Sequence, residues 1–282
     1  MVANSSLEVS GEDLKSLYNV EAAFEYTSLN GLVRALRTFQ EDSDVILDHV
    51  VLITRFPPKL FNIADGNNSL PVKGKSLYFQ DHQILILTMK GPVHEFLSLK
   101  IHDLFRDKLT RMSCWDDLKA TGGATRSLGN IGKEPDQSWG PISTRYPTLV
   151  LEVGVSESFR ALDNDAQRWI KNGPSVTQVV TVKIYPHKRE IIFAIWRGES
   201  GGQAKKDEEM HMEMNGGQIS VHETRHLRLS FKQIFERRPR PGTNEGDVKF
   251  SARELGIIAH QVWEEMALYG MIPSEQGRSR SL

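Results

Sequence analysis

Cysteine is almost missing from this chain: Cys114 is the single one in 282 residues. That excludes an intramolecular disulfide framework and suits a reducing compartment. An excess of charge of either sign is missing as well. Lys and Arg number 35 against 36 Asp and Glu, a net charge of −1, so any attraction for nucleic acid must come from a local patch. No apolar run approaches membrane-spanning length. The opening MVANSSLEVSGEDLK lacks the basic and apolar regions of a signal peptide, and the polar end GRSRSL, expected to be disordered, lacks a peroxisomal address. The expectation is an intracellular protein, cytoplasmic or nuclear, with no membrane partner. The Gly-rich stretch TGGATRSLGN (121–130) has no phosphate-loop lysine and opens no helix, which argues against a nucleotide cradle. No compact DNA-reading module such as a zinc finger is visible.

What is present is enough for a globular core. Hydrophobic residues make up 39% and charged residues 25%, ordinary values that permit one domain with extensions or two domains. Residues 10–40 carry an imperfect helical stripe (Leu14, Leu17, Tyr18, Leu29, Leu32, Val33, Leu36). Val45–Thr54 alternates weakly as a strand would, 64–75 is turn chemistry, and Ile84–Thr88 reads as a short buried strand. A long helix follows from about Val93 to Met112, with Val93, Leu97, Ile101, Leu104, Phe105, Leu109 and Met112 on one face. Glu157–Lys171 reads as another helix, ended by Asn172-Gly173-Pro174, and Gln178–Ile184 as the strand after it. Strand, helix, strand at this spacing predicts a parallel crossover. Glu190–Trp196 is expected to form a hairpin with that strand, 198–209 a loop, and Gln218–His222 a short edge strand. Ser251–Tyr269 has the Ser cap, the Glu three residues on and the apolar stripe of a final helix.

The most informative segment is 133–157, KEPDQSWGPISTRYPTLVLEVGVSE. Along Thr148–Val155 side chains alternate between faces, placing Leu149, Leu151, Val153 and Val155 on one and Val150, Glu152 and Gly154 on the other. A carboxylate inside so apolar a strand is costly to bury unless paired, protonated or bound to a cation. Asp136, in the Pro135-Asp136 step, is the nearest group by pattern. A blander account satisfies the two acids with backbone amides or with Arg145 or Lys133.

These residues resemble the PD-(D/E)XK nuclease-like superfamily, in particular its bacterial and fungal restriction-endonuclease-type families of unassigned substrate. The resemblance spans about residues 85–240, with residues 133–170 as its specific part. It implies an α/β fold: a restriction-endonuclease-like core, a mixed central sheet flanked by helices, with helical N- and C-terminal extensions. The implied divisions are 1–84 (extension), 85–240 (core) and 241–282 (terminal helix and tail). By the same resemblance Asp136 and Glu152 hold Mg²⁺ (or Mn²⁺), with Glu134 as an auxiliary acid. DNA is the implied partner, RNA the second candidate, and a homodimer the common family form. The chemistry fits: Mg²⁺ takes one or two carboxylates, keeps its waters, and stabilises charge on a scissile phosphate.

The chain also departs from the family. The superfamily lysine two residues after the Glu falls on Gly154, and its alternative place on the following helix falls on Asp165. Gln167, Arg168, Lys171 and Lys183 remain as substitutes, and Lys183 is the one assigned here as catalytic beside Asp136 and Glu152. His94 matches a family His at the start of the long helix, but the reading preferred for it is a helix-start residue near the core edge rather than a catalytic one. Glu95 lies opposite that helix's apolar stripe. Convergence of Glu134, Asp136, Glu152 and Asp165 would create a coupled acidic site with raised pKa values unless a cation were present. The densest positive cluster is Arg225, Arg228, Lys232, Arg237, Arg238 and Arg240. Arg237, Arg238 and Arg240 are expected to contact a phosphate backbone, the alternative being a solvated helix end and linker. Two functions follow: a divalent-metal-dependent nuclease, or a catalytically degenerate nuclease fold that binds nucleic acid or protein. A structural subunit is the third, weaker reading.

Overall fold

The computed structural model describes residues 11–43, 46–62, 67–68, 73–199, 202–215, 218–223 and 226–272. In chain order these form α1 (Gly11–Tyr18), β1 (Ala22–Glu25), α2 (Leu29–Asp42), β2 (His49–Thr54), β3 (Phe61–Asn62) and β4 (Asn67–Asn68). There follow β5 (Lys75–Phe79), β6 (Ile84–Met89), α3 (Pro92–Arg111), β7 (Leu118–Ala120), β8 (Arg126–Leu128), β9 (Ile131–Lys133) and β10 (Gln137–Pro141). Then come β11 (Leu149–Gly154), α4 (Phe159–Asn172), β12 (Gln178–Tyr185), β13 (Glu190–Gly198), β14 (Ala204–Asn215) and β15 (Gln218–Glu223). The chain closes with β16 (His226–Leu229), α5 (Phe231–Phe235), β17 (Val248–Ser251) and α6 (Ala252–Leu268).

Two mixed sheets organise the molecule, which is α/β. One runs β1-β2-β6-β5-β9-β8, the other β15-β14-β13-β12-β11-β10-β7. In the second, β11 and β12 pair in parallel across α4, with Glu152 opposite Thr181 and Gly154 opposite Lys183. The strand divides its faces as alternation demands. Leu149, Leu151 and Val153 enter the main core with α3 and α6, whereas Val150 joins Ala166 and Trp169 of α4. Helix α4 is capped by Ser158, whose side chain accepts from Ala161 N, and it also serves the first sheet, because Ala161 packs among Leu14, Tyr18, Val50 and Leu77. The chain passes from the first sheet to the second between β9 and β10, through Glu134-Pro135-Asp136. Proline ends the one strand, and the Asp136 N–H bonds to Leu151 O at 3.1 Å, which starts the other.

Several sequence expectations need correcting. The helical stretch read over 10–40 is two helices separated by β1: Asn19 has φ 53°, which ends α1, and Ser28 caps α2 by accepting from Gly31 N. The stretch 198–209, read as a loop, contains the first half of β14. Its run AKKDEEMHMEMN hides strand character because the outer positions are charged while Met210, Met212 and Met214 point inward. The 121–130 stretch contains β8, paired to β9. Part of the 64–75 turn segment, Val45, Arg225 and the polar tail lie outside the described residues. The division placed after residue 84 falls at the start of β6, which pairs on one side with β2 and on the other with β5. Beyond residue 240, β17 pairs with β16 and α6 packs into the main core. Among the described residues no helix is long and apolar enough to cross a membrane.

Candidate functional site: a lysine-bridged carboxylate pair

Asp136 and Glu152 do come together, and a lysine stands between them. Lys75 Nζ lies 2.8 Å from Asp136 Oδ2 and 2.5 Å from Glu152 Oε2. The first contact is a hydrogen bond. The second is an ion pair without hydrogen-bond alignment, so Glu152 Oε2 accepts no hydrogen bond. Lys75 opens β5 of the first sheet, opposite Thr88 in β6, so the second sheet's acids are met by a base from the first.

Asp136 is saturated. Its Oδ2 also accepts from Val153 N at 2.7 Å, while Oδ1 meets His94 Nε2 at 2.8 Å and Lys90 Nζ at 3.0 Å. The other ring nitrogen of His94 lies 2.8 Å from Asp48 Oδ2, and Asp48 Oδ1 accepts from Gly91 N at the start of α3. Glu152 Oε1 accepts from the Trp169 indole, with Lys133 Nζ 3.4 Å away. Lys133 reaches Asp165 Oδ2 at 2.7 Å, and Asp165 Oδ1 takes Arg168 and the Tyr18 hydroxyl. This network runs from α1 through both sheets to α3 and α4.

Burial sets the electrostatics. Desolvation alone would lower the Lys75 pKa, but Asp136 and Glu152 hold it well above the usual lysine value. Desolvation would likewise raise Asp136, yet Lys75, His94 and Lys90 hold it well below the usual carboxylate range. Asp165 is lowered in the same way, against its burial, by Lys133 and Arg168. Burial pulls His94 down, and Asp48 and Asp136 overcome that, raising it to about 10, so it is an imidazolium at neutral pH. The acidic convergence anticipated from sequence is thus neutralised by ammonium, imidazolium and guanidinium groups. Glu157 differs: burial raises its pKa, its Oε1 takes only Thr88 Oγ1 at 3.3 Å, and its Oε2 accepts no hydrogen bond.

The remaining sequence candidates are placed as follows. Glu134 accepts from Ser76 N at 3.0 Å and Thr125 Oγ1 at 2.8 Å, and so faces β5 and the β7–β8 connection. Lys183 is buried; its Nζ donates to Val155 O at 2.5 Å, and desolvation lowers its pKa to about 8. At Gly154, where the resemblance calls for a lysine, a side chain would require Leu162 to shift. A Cβ at that position would meet Leu162 Cδ1 at 2.9 Å, because α4 fills the space. Arg237 donates to both oxygens of Glu245 and to Asp117, and Arg240 to Asp117, so both guanidinium groups are occupied inside the molecule. Arg238 is exposed. Asp48, Lys75 and Lys90 are the members sequence reasoning missed. The one available signal was a charged residue at the edge of each of two apolar strands, in VKGKSLYF and ILILTMK.

A cleft of about 470 Å³ opens above this network, lined among others by Lys73, Lys75, Lys90, Glu95, Gly123 and Glu134. Lys73, Lys75 and Lys90 share it with the carboxylates of Glu95 and Glu134, and Lys90 Nζ lies 3.3 Å from Glu95 Oε1. Asp136 and Glu152, both with fully buried side chains, sit behind the Lys75 and Lys90 ammonium groups. The arrangement does not suit a resident Mg²⁺, which needs open carboxylate lone pairs at about 2.0–2.1 Å and room for waters. Both Asp136 oxygens are taken by donors, and an ammonium occupies the space between the acids. Among the described residues no group of three or more His, Cys, Asp or Glu is placed to hold a metal ion.

No family model matches the sequence, and no curated protein matches it. Among solved structures the chain is similar to one from Anabaena variabilis, described as a candidate nuclease belonging to DUF820. The TM-score is 0.42 at 12% identity, with 69% of this chain and 98% of that one covered.

Proposed function

We propose that the chain is a nuclease-like, catalytically degenerate module that binds the phosphodiester backbone of a nucleic acid in the Lys73–Lys75–Lys90 cleft without a metal ion. The single observation that carries this reading is the order of charges. A ligand entering the cleft meets the exposed Lys73 and the half-buried Lys90, which is paired with Glu95, while the buried Lys75 and then Asp136 and Glu152 lie behind. The buried acids hold the two ammonium groups charged and fixed, since both lysines have raised pKa values despite burial. A phosphate is then bound by preorganised cations, while the exposed Lys73 at the rim adds a further positive charge. Cations that bind a phosphate do not by themselves cleave it, since cleavage also requires a group that orients a water for attack.

Fluorescence anisotropy with labelled single-stranded DNA and RNA tests the proposal. Lys73→Glu and Lys90→Gln should each weaken binding several-fold, and the slope of log affinity against log salt should fall by about one for each lost contact. Binding untouched by both variants would place the nucleic-acid surface elsewhere and sink the reading.

A second reading, metal-dependent hydrolysis, has one observation in its favour. Lys75 supplies beside Asp136 and Glu152 the lysine that the resemblance calls for and that positions 154 and 165 lack. Under it Lys75 is the relocated motif lysine and takes the part assigned from sequence to Lys183. Mn²⁺-dependent cleavage of supercoiled plasmid, abolished in Asp136→Ala and Glu152→Ala, would establish it.

A further inference from the structure

The second sheet ends at β15, and among the described residues no strand pairs with the outer edge of β15. Residues 218–221, QISV, carry neither proline nor a charged side chain, the usual devices that keep such an edge from pairing. Beside the edge lies a groove of about 530 Å³, lined among others by Ile219 and Val221 of β15 and by Gly256, Ile257, His260 and Glu264 of α6. Val221 and Ile257 are 39% and 53% exposed, and Leu268, 81% exposed, continues the apolar surface along α6. We propose that a second copy of this chain covers this face, pairing β15 with β15 and α6 with α6 about one two-fold axis. The homodimer expected from the resemblance came without an interface. This face is read from the strand edge and the groove, and it is independent of the cleft.

Self-complementarity carries the inference. A two-fold interface sets one surface against itself, so each group must meet its own complement. The outward stripe of α6 is Arg253, Ile257, His260, Glu264 and Leu268, at helical spacing. Laid antiparallel against its copy about the midpoint between Ile258 and Ala259, this stripe places Arg253 opposite Glu264 of the partner subunit. Arg253 has no ion pair among the described residues, and Glu264 meets only His260, at 3.5 Å. The strand obeys the same symmetry. Only an axis passing through a residue keeps both copies of α6 on one face of the joined sheet. Centred on Ser220, the pairing sets Ile219 opposite Val221 of the partner subunit, twice over, on the face that α6 covers. That face is fixed already: Ile219 and Val221 pair with Met214 and Met212, which enter the main core. The two centres lie side by side, since a Cβ on Gly256 would meet Ile219 Cδ1 at 4.0 Å, and Ile257 and His260 share the groove with Val221. One axis therefore serves strand and helix together.

Sedimentation velocity of the full chain over a wide concentration range, combined with cysteine cross-linking, tests the proposal. Wild type should form a concentration-dependent dimer. Ile257→Glu, at an exposed position, should weaken it by at least about 10-fold, because a like charge is buried on each side of the axis. Arg253→Glu and Glu264→Arg should each weaken it several-fold, and Arg253→Glu/Glu264→Arg should restore most of the association. Ser220→Cys should form a disulfide dimer under mild oxidation and Gln218→Cys should not, since only a residue on the axis meets its own copy and Cys114 is buried. A wild type that stays monomeric at every concentration would overturn the inference and leave the face to a partner of another kind. A dimer that Ile257→Glu leaves intact would overturn it too, as would a double charge swap that fails to restore association.

Discussion

Single residues at this site are held by one another, so each substitution has a calculable direction. Asp136 faces Lys75, Lys90 and His94 at 2.8–3.0 Å. Asp136→Asn leaves the buried Lys75 and His94 and the half-buried Lys90 each short of a partner, and breaking buried pairs in this way costs about 3–5 kcal/mol. Urea unfolding of the variant against wild type checks this, and a loss under about 1 kcal/mol would show that the network contributes little. His94 gives a pH signature. Its folded pKa is raised from 6.5 to about 10, so its stabilisation is fully present below pH 6.5 and is lost as pH rises through 10. Lys183 opposes that trend. Its folded pKa is depressed to about 8, so the fold gains stability as pH rises from 8 toward 10.5. The difference in unfolding free energy between wild type and His94→Gln isolates the histidine and should shrink steadily between pH 7 and pH 10. A difference independent of pH would contradict the imidazolium assignment.

The elements explain which parts of the site could be read in advance. Glu152 stood out because β11 is otherwise apolar, and α4 was legible from the apolar spacing of Leu162, Ala166, Trp169 and Ile170 and from its Gly-Pro exit, whereas its Ser158 cap was not. Asp136 was identifiable from the Pro-Asp step, although its place at the passage between two sheets was not. Lys75 is 61 residues before Asp136 and belongs to another sheet; no local periodicity encodes a contact made by packing one sheet against another. At Gly154, where the resemblance calls for a lysine, Leu162 of α4 occupies the space a side chain would need. Gly154→Lys should therefore cost about 1–3 kcal/mol by overpacking and confer no cleavage, read by urea unfolding and a plasmid assay. The arginine segment 237–240 was read from charge density alone, which cannot reveal that Asp117 and Glu245 bind it. Arg237 also stacks over Phe231 and Phe235, at 4.9 and 5.2 Å from the ring centroids. Arg237→Ala should accordingly destabilise the protein more than Arg238→Ala, whose effect should stay within about 0.5 kcal/mol. Equal effects in thermal melts would contradict the pairing.

At the scale of the whole molecule, the net charge of −1 leaves no general attraction for a polyanion. Under the proposed function, recognition comes from the few cations the fold gathers in one cleft. The two sheets meet where Pro135 and Asp136 carry the chain between them, and the buried charge network is the seam. The same groups that join the sheets also hold Lys75 and Lys90 charged at the floor of the cleft. Under the proposed function, stability and ligand binding draw on one set of residues, and that set works without a divalent cation. The most direct measurement is the affinity of labelled single-stranded DNA and RNA for the wild-type protein, at fixed ionic strength, in EDTA and in Mn²⁺, with the recovered nucleic acid examined for cleavage. The metal-free account predicts the same affinity in both buffers and intact nucleic acid. Binding that appears only with Mn²⁺, or cleavage that depends on it and disappears in Asp136→Ala, would contradict it.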